Sequence, residues 1–328
     1  MDELEWWKKR VHALAGKRRE VEQRYLETKK QFPEAEVYRK KPWAFDKLVL
    51  LSYYIDIYSN IIKNQEWVDN MVYIDLFSGP GFNIIEGYDE VVPGSPLLAQ
   101  LMPKKGKEFD SLVLFETDKT RADTLRVLLP NASVHNLDSN SMEAKKVMMN
   151  ELDKPRTHFL AFIDPEGTEC HWSTVEFLLR RWGDLIINCQ HNSAARNVGT
   201  YRGRCDERTK DAIEKRLFDY FGSNAWMSIE GNFEGDLESK LKGLYKDKLK
   251  LYRNTIVETS TGQETGGYKY SILVATKLTT GGSPWLKSIE DARDRIHRTQ
   301  HSELEKWIQF YRGKRDTVEI QRSLDEYW

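Results

Sequence analysis

Four acidic residues stand at the ends of four successive apolar runs in this 328-residue sequence. They are Asp75, Glu116, Asp138 and Asp164. A carboxylate in such a place can accept paired hydrogen bonds from sugar hydroxyls, a geometry that neutral side chains match poorly. A carboxylate beside a reacting group can also accept its proton or orient it. The spacing therefore predicts a ligand site in which some of these acids bind the ligand and one acts in catalysis.

A pair of glycines follows the first of these acids, in the segment DLFSGPG at 75–81. Gly79 and Gly81 let the backbone turn sharply and let a ligand approach closely. The segment matches neither the P-loop pattern G-x-x-x-x-G-K-[ST] nor the dinucleotide pattern G-x-G-x-x-G. Pro80 also removes a backbone donor where a pyrophosphate would need amides. The loop is thus predicted to bind a ligand other than a nucleotide polyphosphate.

Asp164 is the main catalytic candidate, because it follows a strongly apolar run and precedes Pro165, which fixes the turn. Glu166, two positions later, and Asn188, near the end of the next apolar run, are further catalytic candidates. The alternative for Asp164 is an ordinary turn, since an Asp-Pro pair often begins one.

Alternating strands and helices must position these residues. Apolar runs predict strands at 71–77, 111–115, 132–136, 157–163 and 184–189. Helical spacing and capping residues predict helices at 43–62, from 95 onward, and at 119–129, 142–152 and 173–182. We expect Ser95 to cap one helix before Pro96, and Ser173 with Glu176 to form a capping box. The alternation predicts an α/β fold, a Rossmann-like and mostly parallel sheet with helices on both faces.

The pattern changes after residue 190. Residues 191–250 are polar, basic and predicted to be helical, and two strand-like runs follow at 251–258 and 268–277. A Gly- and Thr-rich turn joins these runs into a hairpin, which adds an antiparallel strand near the C-terminal end. We therefore expect three regions. They are an N-terminal helical appendage outside the core (1–42), a core (43–283) with a basic helical insertion at about 191–250, and a C-terminal helical segment (284–328).

Charge is balanced over the chain, with 50 Lys and Arg against 51 Asp and Glu, so a globally basic nucleic-acid protein is not supported. Residues 196–216 nevertheless hold seven basic and four acidic side chains. Four arginines there are candidates for contacts with nucleic-acid phosphates, and Tyr201 for stacking on a base. The arginines are Arg196, Arg202, Arg204 and Arg208. The alternative is a set of ion-paired, solvated helices.

The sequence indicates a cytoplasmic protein. No apolar run is long enough to span a membrane, and the first residues, MDELEWWKKR, lack the apolar stretch of a secretory signal. Cys170, Cys189 and Cys205 fit no zinc spacing and cannot all pair, which favours reduced thiols. We predict no metal site.

Three features resemble class I methyltransferases, which use S-adenosylmethionine (SAM). They are the motif D-x-F-x-G-x-G at the end of the first strand, an acid at the end of the second, and Asp138 at the end of the third. That fold also has an antiparallel seventh strand. The resemblance implies SAM as the cofactor and assigns it six residues. They are Asp75, Phe77, Gly79, Gly81, Glu116 and Asp138. Asp75 would hold the methionine end or, alternatively, cap the turn, Glu116 would bind the ribose, and Asp138 would accept from the adenine amine.

A closer resemblance, from about residue 43 to about 290, is to the three-Cys-motif partner protein (TcmP) family. Its segments here are Trp43…Lys47-Leu48, YIDLFSGPG at 73–81, GSPLLA at 94–99, FIDPEG at 162–167, DLIINC at 184–189, YFGSNAW at 220–226 and KYSILVATK at 269–277. The resemblance implies a methyltransferase-like fold and a three-Cys-motif protein as partner. Glu166 departs from the family, which has an aromatic residue there, so no ring lies beside Pro165 to stack on a substrate amine.

Three functions follow from these observations. The leading one is a SAM-dependent methyltransferase with Asp164 near the transferred methyl group and nucleic acid as a candidate acceptor. The second is a methyltransferase-like subunit that docks a partner and has weak or no activity. The third is suggested by Cys189-Gln190, which is similar to the nucleophile motif of cytosine-C5 methyltransferases, although a buried and inert cysteine explains the same residues.

Overall fold

The computed structural model describes residues 3–42, 44–231, 236–261, 270–277, 284–298 and 301–314. The strands within these ranges are β1 (Tyr38–Lys40), β2 (Asn70–Asp75), β3 (Phe82–Ile85), β4 (Glu90–Pro93), β5 (Ser111–Phe115), β6 (Ser133–His135), β7 (Thr157–Ile163), β8 (Gly183–Cys189), β9 (Thr255–Thr261) and β10 (Tyr270–Thr276). The α-helices are α1 (Glu3–Ala15), α2 (Arg18–Gln31), α3 (Ala44–Ile62), α4 (Ser95–Leu101), α5 (Lys119–Leu128), α6 (Met142–Leu152), α7 (Trp172–Leu179), α8 (His191–Arg202), α9 (Glu207–Phe221), α10 (Asp236–Lys250), α11 (Pro284–Arg298) and α12 (His301–Tyr311). A short 3-10 helix spans Asn224–Ser228. No helix in the described part of the chain is long and apolar enough to cross a membrane.

Seven strands form the main sheet in the order β6-β5-β2-β7-β8-β10-β9. The five strands from β6 to β8 are parallel, whereas β10 runs antiparallel to both β8 and β9. The predicted α/β class is confirmed, with its mostly parallel sheet and its antiparallel strand near the C-terminal end. Because strand order reverses beside β2, the carboxyl ends of β2, β5 and β7 meet at the place where open α/β sheets bind ligands.

The strands of this sheet are apolar on both faces because helices cover both. In β7 every residue is buried, and alternate side chains enter different cores. Leu160 and Phe162 pack with α1, α3 and α12, while Phe159 and Ile163 pack with α7, α8 and α10. This alternation follows from the two-residue period of a strand. The apolar runs at 111–115 and 157–163 predicted β5 and β7 with the observed boundaries, and β7 is buried along its whole length.

The N-terminal helices lie in the core, so the expectation that they form an appendage outside it is wrong. Trp6 and Trp7 of α1 are each 1% exposed. The ring of Trp7 stacks on Trp307 of α12 at 5.7 Å, and Trp6 meets Tyr53 of α3 edge-on at 5.3 Å. Lys9, His12 and Arg19 are exposed, which gives the segment the composition of a surface helix. The division into three regions remains a prediction.

A second sheet, not predicted from the sequence, has the order β1-β3-β4. Its β3–β4 hairpin is inserted between the glycine loop and α4, and β1 pairs with β3 in parallel. The ends of the hairpin are held by a 2.7 Å bond from the Gly94 amide to the Gly81 carbonyl. A Cβ atom on Gly94 would lie 2.9 Å from the Gly81 carbonyl carbon, so this contact requires glycine.

Two predicted helix caps are wrong. Gly94, not Ser95, is the N-cap of α4, and the Ser95 side chain hydrogen-bonds to Asp75 instead. His171 occupies the N-cap position of α7, which places Ser173 inside the helix. The Glu176 carboxylate accepts from the Tyr252 hydroxyl at 2.5 Å and from Arg180, so tertiary partners replace the predicted capping box.

The remaining boundaries agree closely. Helix α6 spans the predicted residues, and α8 to α10 confirm a helical segment after residue 190. Strand β9 begins at Thr255 rather than 251 because α10 and a turn occupy the residues before it. Trp43, most of the hairpin turn (262–269) and residues 315–328 lie outside the described residues.

His158, at the start of β7, provides a pH test of the fold. It is 6% exposed, its Nδ1 atom lies 2.5 Å from the Tyr58 hydroxyl, and the rings of Trp67 and Trp182 flank it. Burial, assisted by the Arg253 charge, lowers the pKa of His158 to about 3. In the folded protein His158 is therefore neutral at pH values where the same residue in the unfolded chain, with a pKa near 6.5, binds a proton.

We expect acidification to destabilise the wild type through this residue. Between about pH 7 and pH 4.5 the unfolded state binds a proton that the folded state does not bind, which lowers the free energy of unfolding by about 2–3 kcal/mol. His158→Gln keeps a hydrogen-bonding side chain that does not titrate, so it should lack this component. Urea unfolding of both proteins at the two pH values measures the difference. Equal pH dependence of the two proteins would contradict the assignment.

Candidate functional site

A cavity of about 760 Å³ opens at the carboxyl edge of the main sheet. Six of the predicted site residues line it: Phe77, Gly81, Glu116, Asp138, Asp164 and Glu166. The other three, Asp75, Gly79 and Asn188, lie behind this wall, and each hydrogen-bonds to one of the lining residues. The strand-end positions inferred from sequence thus converge on one place, although they have different access to a ligand.

The glycine loop needs its glycines because both adopt positive φ angles against close neighbours. Gly79 has φ +60° and Gly81 has φ +82°. A Cβ atom would lie 2.7 Å from the Tyr38 ring at Gly79 and 2.6 Å from Leu128 at Gly81. Tyr38, on β1, therefore covers the loop from the side opposite the sheet. Sequence reasoning missed Tyr38, since a three-residue strand gives no periodic signal.

Asp75 is fully buried below the loop. Its carboxylate accepts from the Phe77 amide and the Tyr73 hydroxyl, each at 3.2 Å, and from Ser95. Burial raises the pKa of Asp75 to about 7. These are the contacts of the turn-capping alternative, so a role toward the methionine end of SAM stays a prediction that would act through the Phe77 amide.

Glu116 is oriented by three donors. Its Oε2 accepts from the Gly79 amide at 2.9 Å, and its Oε1 accepts from the Asp118 amide at 2.8 Å and from Arg121 Nη2 at 2.9 Å. A carboxylate offers about four lone-pair sites, which leaves about one for a ribose hydroxyl. A second ribose bond, as predicted, would require Arg121 to release the carboxylate. Arg121 also lies 5.4 Å from the Tyr38 ring centroid, so it contacts both the ring that covers the glycine loop and the predicted ribose ligand, Glu116.

The segment after β6 forms the far end of the cavity. Asp138 is exposed, and its Oδ1 accepts from the amide and the side chain of Asn140 at 2.9 and 3.0 Å. Asn140 in turn accepts from the His171 amide at 2.9 Å, which fixes this loop to the start of α7. Ser139 lines the cavity, is 2% exposed, and its hydroxyl has no hydrogen-bond partner among the described residues. A ligand group could supply that partner, and no sequence pattern marked Ser139.

Asp164 lies between two donors from different elements. Its Oδ2 is 2.5 Å from Lys47 Nζ of α3, and its Oδ1 accepts from Asn188 Nδ2 of β8 at 2.7 Å. The side chains of Lys47 and Asp164 are 20% and 21% exposed, and both line the cavity. The structure thus brings Asp164 and Asn188 together, and it adds Lys47, which the sequence marked only as part of a family motif.

Glu166 lies at the rim with a side chain that is 76% exposed. Its carboxylate is 4.0 Å from Lys40 Nζ, which lies 4.4 Å from the Tyr38 ring centroid. Burial lowers the pKa of Lys40, and the neighbouring Lys47 ammonium lowers it further. Glu166 therefore faces solvent beside Lys40 at the rim of the cavity.

Cys189 does not line the cavity. It is 2% exposed, its Sγ lies 3.7 Å from the Tyr220 hydroxyl, and burial raises its pKa to about 11. Because the thiolate is the nucleophilic form, this residue is a buried and inert cysteine. The cytosine-C5 interpretation is contradicted.

The basic segment at 196–216 is only partly available. Arg196 donates to Ser193 at 3.0 Å and Arg202 donates to the Ile229 carbonyl. Tyr201 packs edge-on against Trp226 at 5.1 Å, so its ring serves the local core. Arg204 and Arg208 are exposed.

Helix α9 links this segment to the cavity. Ala212, Lys215, Arg216 and Asp219 of α9 form part of the cavity wall. Arg208 precedes Ala212 by four residues, which places it on the same face of the helix, one turn farther from the cavity. The lining as a whole mixes six carboxylates with five lysines and arginines. Among the described residues, no three His, Cys, Asp or Glu side chains are placed to hold a metal ion.

The sheet order, the glycine loop and the acids at the strand ends define a methyltransferase-like α/β fold. Protein LPL1258 from Legionella pneumophila has a TM-score of 0.42 and 11% identity over 75% of this chain and 91% of its own. An O-methyltransferase from Bacillus cereus, in complex with SAH, has a TM-score of 0.32 and 14% identity over 69% of this chain and 80% of its own. The O-methyltransferase TomG from Streptomyces achromogenes, in complex with SAM, has a TM-score of 0.31 and 12% identity over 69% of this chain and 79% of its own. No protein-family model and no curated protein matches the chain. Likenesses this low transfer no activity.

Proposed function

We propose that the protein is a SAM-dependent methyltransferase. The observation that carries this proposal is the cavity itself, which has the glycine loop and Glu116 on one side and the Asp164–Lys47 pair on the other. The residues fit SAM. Phe77 and Gly81 would border the methionine part, Glu116 would bind the ribose, and Ser139 with Asp138 would meet the adenine. The unpartnered Ser139 hydroxyl supports this fit, because a buried polar group is normally satisfied.

When bound, SAM supplies an electrophilic methyl group. The chain's own residues would prepare the acceptor for it. Asp164 accepts the acceptor's proton, while Lys47 and Asn188 fix the direction of its carboxylate. Alignment of the two reactants and exclusion of water supply most of the rate enhancement in such a site.

The acceptor we propose is a nucleic acid. Support comes from α9, where exposed Arg208 lies on the face that leads to Lys215 and Arg216 at the cavity wall. Two further proposals are a three-Cys-motif protein as partner, which is supported by the sequence resemblance alone, and a cytoplasmic location, with which three unpaired cysteines agree.

A methyltransferase-like subunit with weak or no activity is the second candidate. The observation that favours it is the bond from Arg121 to Glu116, which occupies one of the sites that the ribose would use. If Arg121 holds that carboxylate permanently, Glu116 could accept only about one ribose hydrogen bond, SAM binding would be weak, and the protein would act by docking a partner. A binding measurement distinguishes the two candidates.

Calorimetric titration tests the proposal. We expect SAM and S-adenosylhomocysteine to bind the wild type and NAD not to bind, because Pro80 removes a backbone donor that a pyrophosphate would need. Glu116→Ala should weaken SAM binding by about 1–3 kcal/mol through the loss of a charge-assisted hydrogen bond. Glu176→Ala is the matched control, since Glu176 also bonds to an arginine but lies away from the cavity. Absence of SAM binding to the wild type would favour the subunit.

A further inference from the structure

Two lysines, each paired with a carboxylate, border the reacting end of the cavity. Lys47 Nζ lies 2.5 Å from Asp164, and Lys40 Nζ lies 4.0 Å from Glu166. Both lysines line the cavity, and their charges interact with each other and with Asp164. The site at which an acceptor would meet Asp164 is therefore bordered by two ammonium groups, carried by α3 and β1.

We infer that the methyl acceptor atom is a hydroxyl oxygen and that Lys47 stabilises the negative charge that develops on it. This inference rests on the proposed function and deepens it by naming the substrate class.

The first reason is the direction in which charge develops. An amine nitrogen becomes positively charged as it takes a methyl group, and two nearby ammonium groups oppose that change by Coulomb repulsion. A hydroxyl oxygen becomes negatively charged as its proton leaves, and the same ammonium groups stabilise it. A donor placed where charge develops is usually the largest single contribution to such catalysis.

The second reason is the occupancy of the acceptors around the site. An amine held for methylation donates its N–H groups to nearby oxygens. Here the two Asp164 oxygens already accept from Lys47 and Asn188, at 2.5 and 2.7 Å. The Pro165 carbonyl accepts from Gln190 Nε2 at 2.6 Å. A hydroxyl donates a single hydrogen bond, so it needs only one of the remaining lone pairs of the Asp164 carboxylate.

The third reason is the absence of a ring in the segment that follows Asp164. Glu166 occupies the position beside Pro165, and its side chain points to solvent with 76% exposure. This segment therefore offers a planar amine or base no ring to stack on, although Tyr38 and Phe162 line the cavity elsewhere, whereas a hydroxyl group requires none.

The transfer step balances without a further reactant. The hydroxyl oxygen forms a bond to the methyl carbon, the carbon–sulfur bond breaks, and its electron pair stays on sulfur, which becomes a neutral thioether. The hydroxyl proton passes to the Asp164 carboxylate and then to water. Lys47 remains an ammonium throughout, so its contribution is electrostatic.

Isotope labelling tests the identity of the acceptor atom. Extract from cells that lack the gene is incubated with the full-length protein and SAM that carries a carbon-13 methyl group. The extract is then separated into nucleic-acid, protein and small-molecule fractions. We expect the labelled product to show the carbon-13 chemical shift of an O-methyl group, in whichever fraction it occurs. A methyl group on nitrogen or carbon would overturn the inference and leave the proposed methyltransferase function intact. SAM binding without any labelled product would overturn both.

Lys47→Gln tests the role of the ammonium. The variant should transfer methyl about 10²–10³-fold more slowly, the usual cost of a lost donor to a developing oxyanion, with S-adenosylhomocysteine affinity within a few-fold of wild type. The pH at which its rate rises should also lie about one pH unit or more above that of the wild type, because the hydroxyl has lost a neighbouring cation. The charged or titratable groups facing this position are Lys47, Lys40, Asp164, Glu166, Asp75 and Tyr73.

Lys63→Gln is the matched control. Lys63 follows the same helix and forms a 2.5 Å ion pair with Asp110, far from the cavity. It should leave the rate and its pH profile unchanged. An unshifted profile in Lys47→Gln, with a rate equal to that of the control, would overturn the role of Lys47.

Discussion

Asp164→Asn is expected to lower methyl transfer about 10²–10⁴-fold while SAM affinity stays within a few-fold of wild type. Asparagine keeps the shape of the side chain and its ability to begin the turn at Pro165. It loses the charge that faces Lys47, and its amide must direct an NH₂ group at one of two donors, Lys47 or Asn188. The substitution therefore removes the proton acceptor and disturbs the contacts that orient it.

The measurement compares initial rates with a tritiated methyl donor and affinities by calorimetry. Asp110→Asn is the control, since Asp110 also pairs with a lysine at 2.5 Å but lies outside the cavity. Equal rates for wild type and Asp164→Asn would remove Asp164 from the mechanism, and the turn-forming alternative would then account for it.

Arg253→Ala is expected to lower the free energy of unfolding by about 3–5 kcal/mol, because backbone carbonyls lose a charged hydrogen-bond donor and a large buried side chain is removed. Arg253 is 1% exposed and precedes β9. Its guanidinium donates to the carbonyls of Leu179, Arg181 and Gly183, at 2.6, 3.0 and 2.8 Å. Alanine would leave a cavity and three carbonyls without this donor, each of which costs free energy when buried.

Urea unfolding monitored by circular dichroism measures this change. Arg208→Ala should stay within about 0.5 kcal/mol of wild type, because exposed side chains without buried partners contribute little. A loss smaller than about 1 kcal/mol in Arg253→Ala would show that water or another side chain replaces the guanidinium.

The central sheet could be predicted from sequence because its strands are buried on both faces. In the run THFLAFI at 157–163 the five residues after His158 are all apolar, without the alternating polar residues that a solvent-exposed face would require, and the length of the run suits a strand. Strands β1, β3 and β4 are three or four residues long, and partial exposure gives them no regular pattern. Arg253 is the opposite case, since a charged residue after a helix is predicted to face solvent and only the surrounding carbonyls reveal otherwise.

The acids of the candidate site could be located because strand ends are visible in the sequence and topology brings them together. Their partners could not, because those contacts span long distances along the chain. Lys47 and Asp164 are 117 residues apart, and Tyr38 covers a glycine that follows it by 41 positions. Such pairings depend on how helices and the small sheet pack over the loop, which no local pattern of residues encodes.

The stacking of Trp7 on Trp307 has a consequence for how the chain is made. Trp307 lies 300 positions after Trp7 in the chain, so α12 is synthesised long after α1. Domains assemble from the N-terminus as they emerge, whereas contacts this distant in sequence form late and slowly. During synthesis the face of Trp7 that Trp307 covers must therefore stay exposed to solvent or to a chaperone until α12 arrives.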